Sequence, residues 1–167
     1  GLGLPSEQTV GIVAILTPAV IGTLAAIPVY FIGRRLGGRL GGVTAVVVLA
    51  LSAGVFLQRS LVGTYDHQVA EGFLQTLAVL GVMVALGVAE REKPIYEQFL
   101  ERDVDALRDT VGYSLLAGFG ITLYLWTWPP GVLLLGILGV FFLLWLTMEF
   151  VRGKSPEHVA IAGAIMM

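Results

Sequence analysis

Cysteine is absent from the 167 residues, and charged side chains make up only 13% of them. Without cysteine the chain has no disulfide framework and no thiolate metal site. Hydrophobic residues account for 56% of the sequence, which is too many for an ordinary soluble domain of this size. Glycine, which is more frequent in membrane helices than in soluble ones, occurs 22 times. This composition predicts an all-α, polytopic transmembrane helix bundle.

Several common functional motifs are also missing. The sequence contains no Walker phosphate-binding loop, no HExxH zinc motif and only two histidines. No basic segment precedes the first apolar run, so that run does not resemble a signal peptide. The chain begins with Gly1 and ends at Met167, inside an apolar run. We therefore expect it to be an internal segment of a longer protein.

Long uncharged runs alternate with short polar connections, which is typical of successive membrane helices of about 20 residues. The run from 110 to 148 is too long for one helix. Pro129 and Pro130 divide it, because each proline removes a backbone N–H donor. We predict about five complete spans and the start of a sixth, over residues 9–32, 40–58, 72–89, 108–127, 131–150 and from 159 onward.

Basic residues are distributed unequally among the connections. Nine of the ten fall on one side of the predicted membrane, and Arg59 alone falls on the other. The positive-inside rule then places the loop from Arg59 to His67 and the turn from Trp126 to Pro130 on the extracytoplasmic side of the cell membrane. The inward connection from Glu90 to Asp109 is predicted to be a short amphipathic or solvated helix.

A glycine-rich segment lies between the first two predicted spans. Gly33, Gly37 and Gly41 are spaced by four, which would permit two helices to approach closely. Alternatively, the adjoining pairs Gly37–Gly38 and Gly41–Gly42 mark a turn.

The main candidate site is the group of polar residues between the second and third predicted spans. Arg59 is followed by Asp66, His67, Gln68 and Glu71. A carboxylate at an outward helix start can hold a magnesium or manganese ion, which in turn can bridge phosphate oxygens. Arginine and a helix N-terminus also favour phosphate. The pattern therefore fits a lipid-linked phosphate or pyrophosphate at the outer surface.

Two structural interpretations of the same residues remain open. Asp66 precedes an apolar span and could be a helix N-cap, whose side chain accepts from free N–H groups. His67 and Glu71 are four residues apart on one helical face and could pair with each other.

The run RSLVGTYDHQ, from Arg59 to Gln68, resembles the second acidic motif of the catalytic subunits of oligosaccharyltransferases. These are polytopic type-C glycosyltransferases, and the similarity is greatest to the archaeal form. The segments LPSEQTVG, VYFIGRRLGG, VAEREKPIYE and LYLWTWPPGVLL extend the resemblance over essentially the whole chain. It implies that residues 1–167 are part of the N-terminal transmembrane domain, and that the soluble C-terminal domain is not present in this chain.

The resemblance implies transfer of a glycan from a dolichyl phosphate or pyrophosphate donor to asparagine in Asn-x-Ser/Thr sequences. It also implies a requirement for Mn²⁺ or Mg²⁺. By motif position Asp66 would be a catalytic metal ligand, and Arg59 would orient the carboxylates or meet the donor phosphate. Gln68 stands where relatives often carry Asp, Glu or His; its amide oxygen can coordinate but adds no charge. His67 is a neighbouring candidate ligand.

The Trp–Pro turn corresponds to a turn that lies near the donor in relatives. Tyr124, Trp126 and Trp128 would then contact lipid or sugar, with anchoring at the membrane interface as the alternative for the tryptophans. The expected partners are the lipid-linked oligosaccharide, an acceptor protein or peptide and membrane lipids. No nucleic acid partner is expected.

Three rival functions remain at this level. One is another type-C glycosyltransferase that uses a lipid-phosphate sugar and a non-protein acceptor. A second is a transporter or channel in which Glu71 and His67 line a polar pathway. A third is a membrane subunit with a purely structural role. A Trp-Trp-Asp segment in the soluble C-terminal domain would favour protein glycosylation over the first of these.

Overall fold

A computed structural model describes residues 6–52, 54–64, 67–91 and 104–167 of the chain. Within these ranges all regular structure is helical and no strand occurs, which confirms the all-α prediction. The helices are α1 (Glu7–Leu24), α2 (Ala26–Leu51), α3 (Val55–Arg59), α4 (Gln68–Arg91), α5 (Val104–Thr127), a 3-10 turn (Pro129–Gly131), α6 (Val132–Val151) and α7 (Glu157–Met166).

The chain divides into two compact units, Gly1–Leu77 and Ala78–Met167. Helix α4 begins in the first unit and continues in the second. The connection from 92 to 103 lies outside the described residues, so the helix predicted between Glu90 and Asp109 is described only from Val104 onward, within α5.

In the first unit, α1 passes into α2 with only a local interruption. The hydroxyl of Ser6 caps α1 by accepting from the N–H of Thr9 at 3.3 Å. Pro28 has no N–H and so cannot donate to the carbonyl one turn earlier. Ala25 nevertheless keeps right-handed helical angles (φ −60°, ψ −23°), and its N–H donates to the carbonyl of Ile21 at 3.0 Å. The missing N–H of Pro28 therefore accounts for the boundary between α1 and α2, although Ala25 itself is helical.

Helix α2 folds back on itself at Gly37–Gly38. Gly38 has φ +64°, a left-handed conformation that glycine adopts without steric cost. The two limbs meet where a Cβ on Gly33 would lie 2.6 Å from the carbonyl oxygen of Gly41. The turn predicted at Gly37–Gly38 is thus confirmed, and so is the close approach of Gly33 and Gly41. The turn predicted at Gly41–Gly42 is wrong, because both residues are helical and pack against the first limb.

By length and apolar composition, three segments of the described chain could cross a membrane: Glu7–Leu51, Gln68–Glu90 and Pro129–Val151. The first contains the turn at Gly38, so it is not one straight helix. The second predicted span, 40–58, is interrupted because Ser52 adopts an extended conformation. The count of five spans and the start of a sixth is therefore not confirmed.

The second unit contains the expected helical hairpin. Helix α5 ends at Thr127, and the two prolines begin the 3-10 turn that leads into α6. Small residues let α7 approach α5 closely: a Cβ on Gly118 would lie 2.8 Å from the carbonyl oxygen of Met166. Large apolar side chains point outward along α6, including Leu133, Ile137 and Leu144, each more than half exposed. Such exposure suits contact with lipid.

Candidate functional site

Residues 60–64, the described part of the segment that follows α3, form a loop with hydrogen bonds of its own. The Thr64 hydroxyl shares its one hydrogen between the carbonyl oxygens of Arg59, at 2.8 Å, and Leu61, at 2.6 Å. Gly63 has φ +96°, which allows the chain to turn there. These contacts hold the end of α3 and residues 60–64 in one compact loop.

This loop lies beside the middle of α1. The N–H of Gly63 donates to the carbonyl oxygen of Ile15 at 3.2 Å. A Cβ on Gly22 would lie 2.6 Å from the Cβ of Ser60 and 3.6 Å from the side chain of Val69. Val69, in the first turn of α4, is only 1% exposed. Gly22 is thus the point at which α1, the loop and the start of α4 pack together.

Helix α3 also packs against α4 within the first unit. A Cβ on Gly72 would lie 3.1 Å from the ring of Phe56. Contacts on both sides therefore fix the position of the short helix that ends at Arg59.

The predicted site residues lie at the end of α3 and at the start of α4. Arg59 is the last residue of α3, and Gln68 is the first residue of α4; both are partly buried. His67 is exposed, and its carbonyl oxygen accepts from the N–H of Glu71 at 3.0 Å. In the described structure the side chains of His67 and Glu71 form no ion pair, so their predicted pairing is not found. Asp66 lies outside the described residues, and neither its role as a ligand nor its role as a cap is tested.

The described residues do not by themselves make a metal centre. Within them no group of three or more histidine, aspartate or glutamate side chains lies close enough to hold an ion. Gln68 and His67 offer one neutral oxygen and one nitrogen donor, whereas Mg²⁺ and Mn²⁺ prefer several oxygen ligands, with carboxylates among them. A metal at this loop would require Asp66 and further ligands.

The three aromatic residues at the Trp–Pro turn of the second unit differ in their exposure. Tyr124 is only 2% exposed, and a Cβ on Gly131 would lie 2.7 Å from its ring. The ring of Trp128 lies 6.3 Å from that of Tyr124, centroid to centroid. Trp126 is 84% exposed, as an anchor at a membrane interface or a ligand contact would be. Direct contact of these residues with donor lipid or sugar stays a prediction.

Two residues that position the loop were not identified from the sequence. Gly22 lies inside an apolar helix, where glycine costs about 1 kcal/mol relative to alanine and so often has a packing reason. Thr64 follows glycine in a short polar segment, where threonine side chains commonly bond to nearby backbone. These were the only local signals, and neither identifies the partner.

Comparison with known proteins agrees with the fold. The chain matches the family model "Oligosaccharyl transferase STT3, N-terminal" over residues 7–166. It is 52% identical, over all 167 of its residues, to the dolichyl-monophosphooligosaccharide–protein glycotransferase AglB of Haloferax volcanii. It is 29% identical over 138 residues, 81% of the chain, to the dolichyl-phosphooligosaccharide–protein glycotransferase 3 of Archaeoglobus fulgidus. No solved structure matches the chain.

The chain spans 16% and 15% of the lengths of these two relatives, so it corresponds to a part of each. Its long apolar helices agree with a multi-pass membrane protein. The family match covers nearly every residue, including the loop and the Trp–Pro turn. The chain belongs to the oligosaccharyl transferase STT3 family and corresponds to the N-terminal region of that family.

Proposed function

We propose that the protein containing this chain transfers an oligosaccharide from a dolichyl phosphate or pyrophosphate donor to asparagine in Asn-x-Ser/Thr sequences. The observation that carries the proposal is the family match over residues 7–166. It is supported by the names of both relatives, which specify a dolichyl-phospho-oligosaccharide donor and a protein acceptor. Those names also favour a protein acceptor over the other acceptors of type-C glycosyltransferases.

The transfer forms a bond between the asparagine amide nitrogen and the anomeric carbon of the first sugar. The bond from that carbon to the phosphate oxygen breaks, the amide nitrogen loses a proton, and dolichyl phosphate or pyrophosphate leaves. Negative charge therefore grows on the leaving phosphate. We assign Arg59 to this charge, because Thr64 and the packing of α3 fix the backbone that carries it. A guanidinium held in advance stabilises such charge more than a mobile one.

We further propose that the reaction depends on Mn²⁺ or Mg²⁺. Asp66 would be the charged ligand in this chain, and Gln68, with His67 beside it, would complete the polar end of α4. When bound, such an ion would neutralise charge on the phosphate. The remaining ligands would come from outside the described residues. Trp126 and Trp128, with the buried Tyr124 beside Trp128, are proposed to contact the donor lipid or sugar.

The proposed site faces the extracytoplasmic side of the cell membrane. The support is the distribution of basic residues, nine of ten of which fall on the other side of the predicted topology. Cysteine labelling provides a direct test, because the chain has no cysteine of its own. A cysteine at the exposed Val62 should react with an impermeant reagent in intact cells, and one at the exposed Lys154 should not. The reverse pattern would contradict the proposed orientation.

The deciding experiment uses the full-length parent protein in detergent. Transfer from a dolichyl-linked donor to an Asn-x-Thr peptide is measured with manganese and with a chelator, for wild type and Asp66→Ala. Metal-dependent transfer that is lost in the variant supports the proposal. Glu7→Gln removes an exposed carboxylate from the first turn of α1 and should leave transfer unchanged. Absence of wild-type transfer to peptide, with donor and peptide verified on a known enzyme, would contradict the proposed activity.

A second measurement concerns the metal preference. Gln68→Asp adds a charged oxygen at the start of α4, and it should change the relative activity with manganese and magnesium if this side chain faces the ion. The same metal profile in wild type and variant would place Gln68 away from the ion.

A further inference from the structure

We propose that the tip of the α2 hairpin binds the phosphate headgroups of anionic phospholipids in the inner leaflet of the membrane. The hairpin tip is the segment 34–40, RRLGGRL, which joins the two limbs of α2. It carries Arg34, Arg35 and Arg39, and all seven of its residues are exposed. The proposed glycan transfer does not use these arginines, so this site goes beyond it.

The positive charge of the hairpin tip has no counterpart nearby in the sequence. No aspartate or glutamate occurs between Glu7 and Asp66, and the three arginines lie near the middle of that stretch. Among the described residues, neither Arg34 nor Arg39 forms an ion pair. The planar fork of a guanidinium group matches the oxygens of a phosphate or a carboxylate. The charge of the tip therefore selects an anionic ligand of one of these two kinds.

Two leucines of the hairpin tip restrict where that anion lies. Leu36 and Leu40 alternate with the arginines and are 77% and 81% exposed. In water both leucines would remain in contact with solvent, and in the hydrocarbon core three charges would lose their hydration. At the boundary of a bilayer the leucines can enter the hydrocarbon while the guanidinium groups extend to the headgroups. The tip therefore suits a lipid interface, where the available anion is a headgroup phosphate.

The apolar helix on either side of the hairpin tip places it at such a boundary. The segment Glu7–Leu51 is apolar enough to cross a membrane, and its only charged residues are Glu7 and the three arginines of the tip. The tip therefore marks one edge of the hydrocarbon core. On the proposed orientation this is the inner edge, and the cytoplasmic leaflet is the one that carries a negative surface potential from anionic lipids.

Two glycines hold the ends of the hairpin tip together. A Cβ on Gly41 would lie 2.5 Å from the carbonyl oxygen of Gly33, so the two limbs are in backbone contact next to the tip. Arg34 follows Gly33 directly, and Arg39 comes two residues before Gly41, so these arginines belong to opposite limbs of one turn. Backbone that is fixed in advance reduces the entropy lost on binding, and two guanidinium groups can share the oxygens of one phosphate.

The test measures lipid binding by the full-length parent protein in detergent, by native mass spectrometry with phosphatidylglycerol and with phosphatidylcholine. Wild type should bind the anionic phosphatidylglycerol more tightly than the zwitterionic phosphatidylcholine. The double variant Arg34→Gln, Arg39→Gln should raise the Kd for phosphatidylglycerol about 25-fold, at about five-fold per arginine, which is equivalent to about 1 kcal/mol each. The double variant Arg34→Lys, Arg39→Lys keeps both charges and should retain most of the binding.

Arg108→Gln is the matched control, because it also removes one exposed arginine from the same side of the proposed topology. The Nε of Arg108 lies 3.7 Å from the Oδ1 of Asp109, so part of its charge is already balanced within the protein. This variant should change the Kd for phosphatidylglycerol by no more than about two-fold, whereas Arg39→Gln alone should change it about five-fold. Equal effects of the two single variants, or equal binding of the two lipids by wild type, would overturn the proposal.

Crosslinking then locates the bound lipid. The photoreactive amino acid benzoylphenylalanine, placed at the exposed position of Leu36 in the full-length protein, should crosslink phosphatidylglycerol in preference to phosphatidylcholine in nanodiscs that contain both. Soluble glycerol phosphate should not compete, because it lacks the acyl chains that the leucines would contact. Competition by glycerol phosphate would indicate a soluble anion as the ligand, and a crosslink to another segment of the protein would indicate an acidic protein surface; either result would overturn the proposal. If cysteine labelling shows the reverse orientation while the lipid crosslink forms, the assignment to the inner leaflet fails and the binding site stands.

Discussion

The contact between Gly22 and Ser60 allows a sharp test of how α1 positions the site. A Cβ added at Gly22 would lie 2.6 Å from the Cβ of Ser60, whereas carbon atoms pack favourably at about 3.5 to 4.0 Å. The Gly22→Ala variant must therefore move the loop and α1 apart by about 1 Å. Overpacking of this kind costs about 1–3 kcal/mol of folding stability. A displacement of about 1 Å in a positioning element can also lower turnover about 100-fold.

The assay is transfer of glycan to an Asn-x-Thr peptide by the full-length parent, together with its thermal unfolding temperature. Gly11→Ala is the matched control, because it lies in the same helix and its added Cβ meets nothing within 4 Å. Both variants gain helix propensity equally, so the difference between them isolates the contact with the loop. Gly11→Ala should be as active as wild type and at least as stable.

A double mutant identifies the atom responsible. Ser60→Gly removes the Cβ that the new methyl group would strike, whereas Ser60→Ala retains it. Gly22→Ala should therefore be partly rescued by Ser60→Gly and not by Ser60→Ala, with a coupling energy of about 0.5–3 kcal/mol. Wild-type transfer by Gly22→Ala, or equal rescue by both changes at Ser60, would refute the reasoning.

Two further predictions use glycines in the same way. Gly38→Ala should lower the unfolding temperature, because φ +64° with ψ −158° lies in a region that is essentially confined to glycine and costs other residues about 1–3 kcal/mol. Gly37→Ala, at φ −136°, should cost less; equal effects would contradict this turn geometry. Gly131→Ala places a Cβ 2.7 Å from the Tyr124 ring and should reduce stability by about 1–3 kcal/mol, whereas Gly136→Ala meets nothing within 4 Å and should not. Thermal unfolding of the full-length protein measures both, and a stable Gly131→Ala variant would show that the Trp–Pro turn adjusts freely.

Parts of the fold follow from local chemistry and could be predicted. Pro129 and Pro130 lack N–H donors wherever they occur, so the end of α5 at Thr127 needed no knowledge of the rest of the chain. The adjoining glycines at Gly37–Gly38 likewise predicted a turn. The apolar composition predicted long helices, and three of the described segments meet that description.

The interruption at Ser52 was not predicted, because the run from 40 to 58 carries no charge or proline that would end a helix. Serine has only a slightly lower helix propensity than the surrounding residues, so propensity alone does not decide its conformation. The short α3 that follows instead packs on α4 through Phe56 and Gly72, which are far enough apart in sequence to escape any local pattern.

The sequence by itself determined the class of protein, the turns at Gly37–Gly38 and Pro129–Pro130 and the residue types of the candidate site, because each depends on composition or on neighbours along the chain. The tertiary structure alone decided that Gly63 bonds to Ile15 at the middle of α1 and that Ser60 packs against Gly22 in its last turn. It also decided that Ala19 and Gly22 of α1 line the same groove as Val46, Leu49 and Ala50 of α2. These features depend on contacts between helices, and a glycine or alanine in an apolar run looks the same whether it faces a neighbour, a groove or lipid.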